Sequence, residues 1–115
     1  MALLGYKKQF AQAVESGIKR QTIRAKRKYP IKLGENLYHY TGLRTKNCRK
    51  LLESKCLGVA DIRIHVDGIF VSDQKLKEVN AKELAKQDGF SDTESFIEFF
   101  RINHGFPFHG DLIRW

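Results

Sequence analysis

Apolar and polar positions switch between two periods along this chain, and the switches mark its elements. Ala2–Gly5 is a short apolar run closed by glycine and reads as a first strand. From Lys7 to Ser16 the apolar residues Phe10, Ala11 and Val14 recur at helical spacing among Lys, Gln and Glu. That predicts an amphipathic helix, with Gly17 just past its end. Lys19–Arg24 then alternates, placing residues 20, 22 and 24 on one face of a strand around Arg20–Arg24 and residues 19, 21 and 23 on the other. Ala25–Lys32 reads as a loop, Leu33–Asn36 as a turn, and Leu37–Thr41 as a β-prone run. Gly42–Lys50 is a further loop, and Leu51–Lys55 either opens the next strand or forms a short turn. Leu57–Val66 alternates through Val59, Ile62 and Ile64, which predicts a long strand. Val66-Asp67-Gly68-Ile69 is a hairpin signal, with Phe70 and Val71 on the returning strand.

The last third changes character. Asp73–Asn80 is polar and ambiguous. Asn80 with Glu83 three residues on resembles a capping box, which starts a helix that Gly89 stops. Ser91 or Asp92 caps another helix, Thr93–Asn103, whose Phe96, Ile97, Phe99, Phe100 and Ile102 demand burial; Gly105 ends it. Leu112–Trp115 is β-prone. The order β-α-β-β-β-β-α-α-β lacks βαβ regularity and points to an α+β fold: a small mixed β-barrel flanked by about three helices, in one domain spanning residues 1–115.

Composition adds boundaries. An apolar share of 42% is enough for a core, so wholesale disorder is not expected. No apolar run approaches the roughly 18 residues of a transmembrane helix, and the first residues lack a signal-peptide layout, so a cytoplasmic protein without membrane contact is expected. Cys48 and Cys56 read as ordinary reduced thiols. His39, His65, His104 and His109 form no ligand spacing with them, so neither a metal nor another cofactor is expected.

Charge changes the picture more. The net charge is +8, yet eleven Lys and Arg stand between Gly17 and Lys50 against the single acid Glu35, which leaves the other residues net negative. One basic face suggests a polyanionic partner, RNA or a nucleotide-like ligand; a solvated surface is the plain alternative. Arg20, Arg24, Lys26, Arg27 and Lys28 on one side, and Arg44, Lys46, Arg49 and Lys50 on the other, would line a groove. Tyr40 beside them, with Tyr29 and Tyr38, suits base stacking, although each tyrosine fits a barrel core or rim equally well.

Lys19, Thr22 and Asp88 are the candidate catalytic set. A lysine whose ammonium is destabilised by burial can act as base for a threonine hydroxyl, and a carboxyl can supply the proton a leaving group needs. The same residues also fit a surface lysine, a strand threonine and a helix-end aspartate. Strict alternation would moreover put Lys19 and Thr22 on opposite faces. No phosphate-binding glycine loop and no nucleophile elbow occurs.

The residues Glu15-Ser16-Gly17, the core Gly17-x-Lys19-x-x-Thr22-x-Arg24, Gly34-Glu35-Asn36-Leu37-Tyr38, Asp88-Gly89-Phe90 and the closing Leu112–Trp115 together resemble the ASCH family, the activating-signal-cointegrator homology domains. The resemblance covers nearly the whole chain and implies a barrel similar to the PUA RNA-binding fold, with an RNA-related role. A small bacterial branch of the family hydrolyses the acetyl amide of acetylcytidine with a Lys, a Thr and a Glu. Lys19 and Thr22 match the first two, and Asp88, one methylene shorter, falls where the Glu would be. The cation-bearing loop Gly42–Lys55 departs from that branch and looks more like small bacterial and phage members. The resemblance therefore implies, first, an RNA- or nucleotide-binding domain with a basic cleft, in which Lys19, Thr22 and Asp88 form the floor. It implies, as the alternative, an amidohydrolase with Thr22 as nucleophile, Lys19 as base and Asp88 as acid.

Overall fold

The apolar stripe of the first helix lies against a sheet, as its spacing requires. In a computed structural model, which describes residues 2–115, α1 (Lys8–Glu15) buries Phe10, Ala11 and Val14. They pack with Leu4 of β1 (Ala2–Tyr6), Leu37 of β3 (Asn36–Thr41) and Leu51 of β4 (Arg49–Lys55). Gly17 takes φ +82° just beyond the helix, a conformation that costs a residue without a Cβ little. β1 runs parallel to β3, and β4 returns antiparallel, so the strand order of this sheet is β1-β3-β4.

The second sheet is antiparallel throughout, in the order β2-β8-β5-β6-β7. It contains β2 (Gln21–Ala25), β5 (Gly58–His65), β6 (Gly68–Val71), β7 (Gln74–Lys75) and, near its centre, β8 (Phe108–Arg114). Two helices cover it, α2 (Glu78–Gln87) and α3 (Thr93–His104). Phe96 and Phe100 of α3 are fully buried among Ile62, Ile64 and Leu112. Burying each such ring is worth roughly 1.5–3 kcal/mol. Phe90 and Phe99 pack against this cluster and against the α1 cluster alike, so the two cores meet beneath the α2–α3 turn.

The fold is a mixed α+β assembly of eight strands and three helices among the described residues. The strands form two sheets and not one continuous ring, since no backbone ladder joins β1 to β2. Side chains span that seam. Arg24 donates to the Gly5 carbonyl at 2.7 Å and Arg27 to the Leu3 carbonyl at 3.2 Å. Residues two apart in a strand present their carbonyls on the same edge, so the two guanidinium groups satisfy the edge that β1 turns away from β3.

Several boundaries differ from the sequence expectation. Arg49–Lys55 is one strand, although four of its seven side chains are charged, because pairing with β3 and the inward Leu51 hold it. β8 begins at Phe108, four residues before the β-prone tetrapeptide. α2 begins at Glu78 with Lys77 in the cap position, so Asn80 lies inside the helix and the proposed capping box does not form. Asp92 does cap α3, its carboxylate accepting from the Ser95 N–H at 2.7 Å. The Asp67-Gly68 hairpin is present, with Gly68 taking positive φ. A second hairpin joins β6 to β7 through Ser72 and Asp73, both at positive φ as a type I′ turn requires, and has no glycine to announce it.

Candidate functional site

Lys19 is placed by the end of α1. Its backbone N–H donates to the Ala13 carbonyl at 2.9 Å, folding the chain back over the helix before β2 begins at Gln21. Lys19 therefore precedes the strand, and the alternation that would set it opposite Thr22 does not apply. Its side chain is 3% exposed and runs beneath the Phe10 ring, 5.1 Å from the centroid. Nζ donates to the Asp88 carbonyl at 2.5 Å and sits 3.1 Å from Asp88 Oδ1.

Asp88 occupies the C-terminal cap of α2, and Gly89 at φ +99° turns the chain away. A Cβ at Gly89 would come within 3.1 Å of Phe10, so glycine also permits the close approach of the two elements. Gln21 donates through Nε2 to Asp88 Oδ1 and to the Leu84 carbonyl, each at 3.3 Å. The aspartate carboxylate is thus held by two strand-side donors rather than by solvent.

Thr22 and Arg24 share a face of β2, and Arg24 Nε donates to Thr22 Oγ1 at 3.0 Å. The guanidinium lies over Tyr6, 4.9 Å from the ring centroid, and on to the β1 carbonyl already described. Tyr6 in turn reaches the fully buried His39, which continues through Nε2 to Ser54 Oγ at 2.7 Å. Lys19, Thr22, Arg24, Asp88, Tyr6 and Phe10 all line one cavity of about 200 Å³, closed on another side by Phe99, Phe100 and His104 of α3.

Burial sets the electrostatics. It pulls the Lys19 ammonium down from its usual pKa, with Asp88 opposing, and pushes the Asp88 carboxyl up, with Lys19, Gln21 and Arg24 opposing. Both shifts favour moving one proton from the amine to the carboxyl. Burial likewise raises the Tyr6 phenol, against Arg24 and Thr22. His39 is lowered to about 4 by burial first and by Arg24 second, which makes it neutral near pH 7.

The basic residues expected in a groove divide. Arg24 points into the cavity instead of outward. Lys26 is bound by Asp111 at 2.6 Å and Asp61 at 2.9 Å, Arg49 by Glu15 at 2.6 Å, and Lys50 by Glu53. Arg20 is exposed beside Gln21 and Trp115 in a different depression. Arg27, Lys28, Arg44 and Lys46 are exposed and form no ion pair among the described residues, while Tyr40 is half-buried on β3. No protein-family model, curated protein or solved structure matches this chain.

Gln21, Tyr6 and Phe10 belong to the site and were missed as site residues. Gln21 carried a signal, a neutral amide on the Lys19 side of an otherwise cationic strand. Tyr6 and Phe10 carried none, because an aromatic at a strand end or on a helix stripe reads as core. Among the described residues no group of three or more His, Cys, Asp or Glu is arranged to hold a metal, and Cys48 and Cys56 are free thiols. Among the described residues no helix is long and apolar enough to cross a membrane.

Proposed function

We propose that the protein is an ASCH-type domain with a PUA-like arrangement of its two sheets. In this reading it hydrolyses an acyl amide on a cytidine-type base held in the cavity between them. The observation that carries this reading is the shared cavity of Lys19, Thr22 and Asp88, with Lys19 and Asp88 in contact and nearly excluded from water. Retaining a buried pair that contributes little to stability is understandable where the pair performs chemistry.

In the proposed step the Lys19 ammonium first passes a proton to the Asp88 carboxylate, and the amine so formed takes the Thr22 hydroxyl proton as Oγ1 bonds to the acyl carbon. The C–N bond then breaks and the Asp88 carboxyl gives its proton to the departing nitrogen. Water attacks the resulting ester, releases the carboxylic acid and restores Thr22. Arg24 Nε, already donating to Oγ1, stabilises the developing negative charge on that oxygen. The test is release of cytidine from acetylcytidine by wild type, Thr22→Ala and Lys19→Met. Turnover by wild type alone is expected; release that persists in Thr22→Ala overturns the assignment.

A second reading, RNA binding on the basic face, is favoured by one observation: Arg27, Lys28, Arg44 and Lys46 are exposed without carboxylate partners among the described residues. It predicts affinity for single-stranded RNA that falls steeply with salt. Binding that stays unchanged between low and high salt excludes it.

A further inference from the structure

Tyr6 and Lys7 line two cavities. The second, about 530 Å³, is built by Lys7 and Lys8 at the start of α1, Thr41 at the end of β3, Gly42, Thr45 and Asn47 of the following loop, and Arg49 at the start of β4. Its polar lining is composed of cations, hydroxyls and an amide, with no carboxylate among the described residues. Lys8 makes no ion pair among the described residues, and Lys7 makes none with an acid, its Nζ resting on the Asn103 side-chain oxygen at 3.1 Å. Arg49 is steadied by Glu15, which lies outside the lining.

Hydrogen bonds brace the loop where it faces this space. Thr45 Oγ1 donates to the Gly42 carbonyl at 2.7 Å and accepts from the Asn47 N–H at 3.1 Å. Gly42 takes φ +67°, and a Cβ there would fall 2.7 Å from the Asn47 carbonyl, so only glycine permits the turn. Thr41 Oγ1 donates to the Tyr6 carbonyl at 3.1 Å, which ties the loop to the wall between the cavities.

We propose that this second cavity is a phosphate subsite, so that the ligand class is a nucleoside monophosphate and not a free nucleoside. The proposal rests on reading the first cavity as the base site. A ligand with its base beside Lys19 and Thr22 reaches past Tyr6 and Lys7 with its sugar, and presents a doubly charged phosphate to Lys7, Lys8 and Arg49. Cations and neutral donors suit a dianion, and the absence of a carboxylate in the lining removes the repulsion that would exclude it.

Calorimetric titration of cytidine 5′-monophosphate and of cytidine into wild type and Lys8→Ala tests the proposal. The expected result is nucleotide binding at least about tenfold tighter than nucleoside binding in wild type. In Lys8→Ala the nucleotide should weaken several-fold with nucleoside binding unchanged. Equal affinities in wild type overturn the subsite. Titration of inorganic phosphate followed by amide NMR separates the two readings. Shifts at Lys8, Thr45 and Asn47 sustain the subsite even where cytidine fails to bind, which would sink the base cavity alone. Phosphate that moves none of these amides overturns the subsite whatever cytidine does.

Discussion

The Tyr6 hydroxyl lies 2.9 Å from Nδ1 of His39, a residue with no exposed surface whose other ring nitrogen is bound to Ser54. Neutral His39 satisfies both partners in either tautomer, since each hydroxyl can donate or accept. Protonation would place a charge in a site with no exposed surface, beside the Arg24 guanidinium. The folded pKa, about 4, lies below the 6.5 of free histidine, so the unfolded chain binds the extra proton first as pH falls. Stability is then fully present above pH 6.5 and lost as pH drops towards 4, by about 3 kcal/mol in total. Urea unfolding at stepped pH should show this loss, and His39→Gln should flatten it. Parallel profiles for the two proteins would show that His39 does not titrate with folding.

Lys19 and Asp88 hold each other in a nearly dry site, so removing one partner should cost more than removing both. Asp88→Asn strands a buried ammonium and is expected to destabilise by about 3–5 kcal/mol. Lys19→Met combined with Asp88→Asn should recover a large part of that loss. A double-mutant cycle by denaturant titration measures the coupling directly. Additive single-mutant losses would mean that the pair is not coupled in the folded protein.

Lys26 stands between two aspartates that face each other across a strand pair, since Asp61 and Asp111 are in register on β5 and β8. Lys26 is the first cause of the lowered Asp61 pKa. Lys26→Ala leaves two like charges directly opposite, at a cost of about 1 kcal/mol near pH 7. Adding Asp111→Asn should restore most of it. Asp61 is held below the ordinary carboxylate range, so the wild-type advantage persists above about pH 4 and disappears beneath it as Asp61 protonates. Melting temperatures across that range provide the check.

Gly110, midway along β8, has β2 on one side and β5 on the other. A Cβ there would lie 2.2 Å from the Arg24 carbonyl and 2.7 Å from Cζ of Phe108. Backbone cannot yield as a flexible side chain can, so Gly110→Ala is expected to cost more than about 3 kcal/mol or to prevent folding. Gly58→Ala, with open space around its Cβ, is the matched control and should change stability by less than about 1 kcal/mol. Comparable stability of the two variants would contradict the packing described for β8.

What the sequence made legible was local. The 10, 11, 14 stripe gave α1, Gly17 its end, Asp67-Gly68 a hairpin and Asp92 a cap, because each depends on neighbours within one turn of chain. β4 was obscure because its strand character comes from β3, not from its own charged residues. The inward turn of Arg24 depends on a carbonyl of Gly5, and the capture of Lys26 on acids from β5 and β8; neither partner is near in sequence. Lys19, Thr22 and Asp88 line one cavity, but their convergence needed the α1–β2 fold-back and the α2 cap, which no local pattern announces. Alternation alone argued against it, since it assumed a strand two residues too long at its start.

The two guanidinium groups across the β1–β2 seam have one more consequence. A sheet edge with free carbonyls is a template on which a strand from another molecule can assemble. Arg24 and Arg27 occupy the carbonyls of Gly5 and Leu3 and place positive charge along that border, so an incoming strand meets neither open acceptors nor a neutral surface. The same two residues that bridge the seam thereby leave the Leu3 and Gly5 carbonyls closed to strand addition along this border of β1.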